Sequence, residues 1–273
     1  MPKVRLDILV VERGLAESRA KAQALIMAGQ VRVDGQVELK ASTAVSPDAR
    51  LDLETGTRFV SRGGEKLEAA LTSFLVDVTG RVCADVGSST GGFTDCLLQH
   101  GAVKVYAIDV GKGLLHWKLR TDPRLVVMED TNARYLQRLP EPVSLTTIDA
   151  SFISLKILLP VVKNWFGPPS GSPHFEEMGG EQEGGIIALI KPQFEAGRKE
   201  TARNKGVIRD PEVHKAVLTD VLTFARAQGF GVRGLIRSPL LGPKGNVEFL
   251  AWLEVGGAEE TDIPVLVQGV LRE

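Results

Sequence analysis

The 273-residue sequence predicts an α/β architecture: a doubly wound, mostly parallel sheet with a C-terminal antiparallel strand, preceded by a small α+β domain. Three observations carry this. Apolar, strand-length runs alternate with helical patterns between residues 81 and 191, as expected of strands covered by helices on both faces. Two extended runs, 230–237 and 246–254, are then separated only by the turn sequence SPLLGPKG. The first 55 residues differ, with two helical patterns followed by a hairpin signal.

Taken in order, residues 4–14 and 18–28 are the first two helices. Leu6, Leu9, Val10 and Arg13 recur at three- and four-residue steps, and the second pattern starts at the capping residue Ser18 and stops at Gly29. Val31 and Val33 alternate with Gln30 and Arg32, Asp34-Gly35 supplies a two-residue hairpin turn, and a short strand follows near 50–53. Parallel strands are expected at 81–86, 103–109, 124–129, 143–149 and 186–191, with helices at 92–100 and 151–164 between them. Residues 167–185 hold six Gly, three Pro, four acids and no Lys or Arg, which reads as a flexible surface insertion outside the chemistry. The domains expected are a small one at 1–57, a connector at 58–64, the large sheet domain at 65–257 and a tail at 258–273.

Composition narrows the function. A net charge of −1 gives no global field for a nucleic acid, so any such affinity must come from local basic patches. Cys83 and Cys96 are too few for a disulfide framework and point to a reducing compartment. His100, His116, His174 and His214 are scattered without metal-ligand spacing, so no metal is expected. Arg5, Asp7, Glu12 and Arg13 interrupt any signal-peptide pattern, and no run reaches the roughly 18 apolar residues that span a bilayer. The expectation is a cytoplasmic protein with no membrane partner.

Strand 81–86 ends in Asp85-Val86-Gly87-Ser88-Ser89-Thr90-Gly91-Gly92-Phe93 and a helix follows. A Gly-rich turn at a strand's carboxyl end lets backbone approach a ligand and presents helix N-terminal amides. The spacing is GxxxGG behind an acid, not the GxGxxG of dinucleotide sites. It suits a methionine moiety, whose ammonium Asp85 would accept directly or through water, with NAD as the rival cofactor. Asp109 ends the next strand, where a carboxylate takes ribose hydroxyls, and Asp130 and Asn132 end the third, near an adenine edge.

Two charged residues, Asp149 and Lys191, terminate otherwise apolar strands at the ligand-binding edge. Glu248 starts the last strand between apolar neighbours, and Lys66 begins the helix after the connector. Arg5, Arg19, Lys21 and Arg32 on the small domain, Arg58 and Arg62 on the connector, and Lys199, Arg203 and Lys205 in the basic stretch 198–209 are candidate phosphate contacts.

Asp85–Phe93, DASFISL (149–155), KPQFE (191–195) and SPLLGPKGNVEF (238–249) together resemble the TlyA, or haemolysin-A-like, family of ribosomal RNA methyltransferases, whose catalytic domain is similar to the FtsJ type. RLDILV, SRAKAQALI and GQVRVDG resemble the RNA-binding domain named after small-subunit ribosomal protein four. The resemblance runs over residues 3–255. It implies a Rossmann-like methyltransferase sheet, S-adenosyl-L-methionine as cofactor, and methylation of a cytidine ribose 2′-hydroxyl in ribosomal RNA or ribosomal subunits. It also implies a Lys-Asp-Lys-Glu tetrad, here Lys66, Asp149, Lys191 and Glu248. The chemistry of a 2′-hydroxyl transfer then suggests Lys191 as the base, required neutral when the hydroxyl attacks, Asp149 as its orienter, and Lys66 and Glu248 as holding the ribose. The connector Arg58-Phe59-Val60-Ser61 matches the family's Arg-x-x-Val linker, with Phe59 in place of the more usual Trp. The rival readings are an RNA-binding protein without catalysis, a membrane-active haemolysin, for which no amphipathic membrane pattern is found, and an NAD-dependent oxidoreductase.

Overall fold

The computed structural model describes residues 3–27, 29–53, 58–167, 184–197, 206–257 and 261–272. The chain divides into two units, Met1–Arg58 and Phe59–Glu273.

In the first unit, β1 (Val4–Arg5) runs directly into α1 (Leu6–Glu12), and α2 (Arg19–Met27) packs against α1. The strands β2 (Val31–Val33), β3 (Gln36–Val37), β4 (Ala44–Val45) and β5 (Leu51–Leu53) follow. The expected hairpin is present: β2 and β3 are antiparallel, and Asp34 and Gly35 turn between them at φ values of +51° and +83°, which suit a tight turn. β2 also pairs with β5. The first helix is shorter than its apolar spacing suggests, because Val4 and Arg5 pair with Val45 and Ala44 instead of coiling. Leu6, Leu9, Val10, Ala22, Ile26 and Val31 form the core, each larger side chain contributing about 1.5–3 kcal/mol of burial.

The second unit contains α3 (Gly63–Phe74), β6 (Val82–Val86), α4 (Gly92–Gln99), β7 (Lys104–Ile108), α5 (Trp117–Arg120), β8 (Leu125–Met128), β9 (Leu145–Ile148) and α6 (Leu155–Val162). It continues with β10 (Gly185–Ile190), α7 (Pro192–Glu195), α8 (Pro211–Ala227), β11 (Phe230–Arg237), β12 (Phe249–Val255) and α9 (Ile263–Arg272). Its seven-stranded sheet has the order β11-β12-β10-β9-β6-β7-β8. β8, β7, β6, β9 and β10 are parallel, and β12 enters antiparallel between β10 and β11. All six residues of β10 are buried, as a strand covered on both faces requires. The chain builds outward from β6 to β8, then returns to lay β9 on the other side of β6. The crevice at the carboxyl ends of β6 and β9 is therefore the topological switch point where open α/β sheets bind ligands.

Two expectations need correction. The helix expected over 151–164 starts only at Leu155, because Phe152 takes a φ of +63° and Ser154 caps the helix by accepting the Lys156 N–H. The expected tail contains α9, whose Ile263, Val267 and Val270 are buried beside α8 and β11. Residues 168–183 of the expected insertion lie outside the described residues, while Gly185 already belongs to β10.

Candidate active site

The switch-point crevice holds a cavity of about 520 Å³ lined by Ser61, Arg62, Gly63, Lys66, Gly87, Ser88, Ser89, Thr90, Gly92, Phe93, Asp149, Leu240, Leu241, Gly242 and Lys244. One wall is the turn from β6 into α4. Gly87 sits at φ +82°, and a Cβ there would lie 2.7 Å from the Asp149 carbonyl oxygen, so the β6 and β9 loops pack backbone to backbone. A Cβ on Gly92 would lie 2.2 Å from Ser61 Oγ and 2.9 Å from the Gly64 nitrogen, so α3 and α4 also meet through glycine. The first amides of α4 have no acceptor within the helix and suit a carboxylate. These glycines let the neighbouring backbones close up behind the cavity wall, and the amides and hydroxyls presented there suit the amino-acid end of a methionine-derived cofactor.

Asp85 does not line this cavity. It is fully buried, its Oδ2 accepting from Thr94 Oγ1 at 2.7 Å and its Oδ1 from Thr147 Oγ1 at 2.9 Å. It ties β6 to α4 and β9. Burial pushes its carboxyl up to about 6, against the two hydroxyl bonds that pull it down. Asp109 holds the same turn from the other side, accepting the Ser89 N–H at 2.8 Å on Oδ2 and the Gly111 N–H at 2.7 Å on Oδ1. Asp130, exposed at φ +52°, and Asn132, whose Oδ1 accepts the Arg134 N–H, stand after β8 and outside the cavity lining.

The four tetrad residues form two ion pairs. Lys191 Nζ lies 2.6 Å from Asp149 Oδ1 and donates to Ser151 Oγ at 3.0 Å. Lys66 Nζ donates to Glu248 Oε2 at 2.6 Å, and the Glu248 side chain is completely buried. Gln193, on α7 just after Lys191, donates to Glu248 Oε1 at 3.4 Å and links the two halves. Lys66 and Asp149 face the cavity, while Glu248 lies directly under Gly242, where a Cβ would come within 2.0 Å of Oε1. Each buried charge therefore has an opposite partner, as low dielectric demands. Lys66 owes its position to Phe59, whose buried ring occupies the space beside Gly64 at the start of α3. The adjacent Val60 N–H is anchored on Asp95 Oδ2 at 2.8 Å.

Several residues here escaped sequence reasoning as site residues. Phe152 is 90% exposed despite its aromatic ring, which lies 4.9 Å from that of Phe194. Glu195 accepts from Ser154 Oγ at 2.6 Å and from the Leu155 N–H at 2.8 Å, so α7 and the loop after β9 are cross-braced twice, by Glu195 and by Lys191. Burial raises the Glu195 carboxyl above its ordinary value. Leu240, Leu241 and Lys244 come from the turn between β11 and β12, legible in the sequence only as a turn.

Among the candidate RNA contacts, Arg62 is exposed at the cavity rim, and Lys21 is exposed on α2. Arg5 and Arg19 both pair with Asp7, and Arg32 donates to the Gly35 carbonyl at 3.3 Å. Lys199, Arg203 and Lys205 lie outside the described residues.

Comparison with known proteins agrees with this geometry. The family model for FtsJ-like methyltransferases matches residues 59–255, and that for the S4 domain matches residues 4–51. The chain is 41% identical over 272 residues to the 16S/23S rRNA (cytidine-2′-O)-methyltransferase TlyA of Mycobacterium tuberculosis, covering 98% of this chain and 94% of that protein. It is 39% identical over 251 residues to Hemolysin A of Brachyspira hyodysenteriae, covering 91% and 98% respectively. A solved structure described as a haemolysin from Streptococcus thermophilus superposes with a TM-score of 0.72 at 40% identity, covering 100% of this chain and 95% of that one. The chain thus belongs to the FtsJ-like methyltransferase family, in its TlyA group, with an S4 domain ahead of the methyltransferase domain.

Proposed function

We propose that this protein methylates the ribose 2′-hydroxyl of a cytidine in ribosomal RNA, using S-adenosylmethionine. The observation that carries this reading is that the Lys66–Glu248 and Lys191–Asp149 pairs each place one member, Lys66 and Asp149, on the lining of one glycine-walled cavity at the switch point, with Lys191 and Glu248 directly behind them. Bound there, S-adenosylmethionine supplies a methyl group already activated on a sulfonium. The chain's own task is then alignment, exclusion of water and removal of one proton.

Lys191 is the residue that takes up the hydroxyl proton. It does so as the neutral amine, so the ion-paired ammonium first passes one proton to solvent. Asp149 fixes its Nζ from one side and Ser151 from another, and α7 carries it on a short, braced turn. Lys66 and Glu248, locked to each other, form the opposite wall and hold the ribose. In the Gly87–Phe93 turn the amides of Gly87, Ser88, Ser89 and Gly91 already donate within the protein, which leaves those of Thr90, Gly92 and Phe93 to receive the cofactor carboxylate. Asp109 takes the cofactor ribose, with Asp130 and Asn132 toward its base. Asp85 serves from behind, as the bracket that keeps the turn in place. The exposed ring of Phe152 offers a stacking face for a base turned out of its helix, the form in which RNA is read at single nucleotides.

The RNA is held by the N-terminal domain, residues 1–57, joined through 58–64 to the transferase domain. Arg5, Arg19, Lys21, Arg32 and Arg62, with Lys199, Arg203 and Lys205, contact phosphates, and binding weakens steeply with salt. Ribosomal RNA as substrate places the protein in the cytoplasm. Among the described residues no helix is long and apolar enough to cross a membrane.

The test is Lys191→Ala, assayed by methyl incorporation into ribosomal RNA and by calorimetry with S-adenosylmethionine. Turnover should fall about 10²–10⁴-fold, with cofactor affinity within a few-fold of wild type. Normal turnover would refute the assignment. Mapping ribose methylation by mass spectrometry, with and without the protein, identifies the nucleotide.

A further inference from the structure

Among the described residues of the N-terminal unit, Asp7 is the one buried charged side chain, with no exposed surface. Its carboxylate, carried on α1, gathers groups from α2 and from the strand β1. Arg5 grips it with both edges, Nε to Oδ1 and Nη2 to Oδ2, each at 3.0 Å. Arg19 Nε donates to the same Oδ2 at 2.9 Å, and Gln23 Nε2 does so at 2.8 Å. The Arg5 and Arg19 side chains remain 44% and 55% exposed. Two guanidinium nitrogens that share one acceptor oxygen lie at most about 6 Å apart, a spacing that like charges resist unless an anion sits between them. A guanidinium has five N–H donors, so each arginine keeps outward-facing donors after these bonds form.

We propose that Asp7 is a positioning residue for RNA binding, a buried carboxylate that spaces Arg5 and Arg19 so that their outer N–H groups take one backbone phosphate between them. The proposal rests on the reading of Arg5 and Arg19 as phosphate contacts. It runs against simple charge counting. An acid beside a nucleic-acid surface repels phosphate, so neutralising it should tighten binding if charge alone governed affinity. A positioned pair behaves oppositely. Without the anchor, the two arginines lose rotamer order and separate, and the bidentate, charge-assisted geometry is lost although net positive charge has risen.

The experiment measures binding of the full-length protein to purified bacterial ribosomal RNA over a salt series. It compares Asp7→Asn, Arg5→Lys, Arg19→Lys, the double variant Arg5→Ala/Arg19→Ala, and that double variant carrying Asp7→Asn. Asp7→Asn should weaken binding about tenfold, with a salt slope shallower by about one phosphate. The two lysine variants should weaken it similarly with charge retained, and Asp7→Asn should add nothing once both arginines are gone. Asp7→Asn binding as tightly as wild type, or more tightly, overturns the clamp, and so does a further loss in the arginine-free background. If Asp7→Asn unfolds the N-terminal unit by circular dichroism, the lysine variants decide, and wild-type affinity in both overturns the proposal. Wild-type affinity in the double alanine variant instead overturns the underlying reading of the two arginines as RNA contacts.

Discussion

Replacing Lys66 by Met separates what the Lys66–Glu248 pair does for the fold from what it does for catalysis. Glu248 is completely buried, and its shortest polar contact is Lys66 Nζ at 2.6 Å. Without that cation, only the Gln193 amide at 3.4 Å is left among the side-chain partners described above. Orphaning one member of a buried pair costs about 3–5 kcal/mol. Lys66→Met/Glu248→Leu removes both charges, and replacing a buried pair by apolar groups is often neutral or stabilising. Its stability should return to within about 1 kcal/mol of wild type. Urea unfolding, run beside methyl incorporation into ribosomal RNA, reads both properties. Single and double variants should lack methylation, although only the single one is unstable. A double variant as unstable as the single one would show that the pair is not the source of the penalty. A double variant with wild-type turnover would remove both residues from the reaction.

Three further expectations follow from the site. Asp85 has a folded value of about 6 against an ordinary 3.8, so its share of stability is full below pH 4 and is lost as pH rises through 6, about 3 kcal/mol in all by pH 7.5. Asp85→Asn should abolish that share, and a variant-minus-wild-type stability difference that stays flat from pH 4 to 8 would contradict it. Phe152→Ala should lower kcat/KM for RNA about 10–100-fold through lost stacking, while leaving the melting temperature and cofactor affinity near wild type, because the ring is 90% exposed. An unchanged kcat/KM would remove the ring from substrate contact. Gly87→Ala forces a Cβ against the Asp149 carbonyl at a φ of +82° and should destabilise the protein by about 2 kcal/mol or more. Calorimetry should show cofactor affinity reduced at least about tenfold, and wild-type affinity would argue that the turn does not hold the cofactor.

The strand ends show how far sequence reasoning reaches. Apolar runs located β6, β7, β9 and β10 because strands covered on both faces disfavour charge in their interiors, so most acids and lysines mark the rims. β8, at the sheet edge with Val126 and Val127 partly exposed, was located by its apolar run alone. Such runs do not say which way a terminal side chain faces. Asp149 follows Ile148, the last residue in register with β6 and β10, and turns outward to the cavity. Asp85 still stands within the ladder, opposite Thr147 and Ala107, and turns inward to two threonines that no spacing rule connects to it. The two-residue strands β1 and β4 are too short to show a period. Helix α9 did carry a pattern, in Ile263, Val267 and Val270, but its position at the end of the chain made it read as a tail. Glu195 and Phe152 were invisible for another reason: one works through a cross-brace between loops, the other through exposure, and both exist only in three dimensions.

Long-range closure gives the enzyme an order of events. Lys66 and Glu248 are 182 residues apart, and β12, the last strand made, must insert between β10 and β11 before they can meet. Contacts of such sequence separation form late, after the loop-closure entropy has been overcome. The N-terminal domain, whose strands and helices all lie within the first 53 residues, is free of that delay. On the ribosome that synthesises it, the S4 domain can therefore mature while the transferase part is still incomplete. With Lys66 and Glu248 in the roles proposed above, methyl transfer waits until the final strand has been threaded into place.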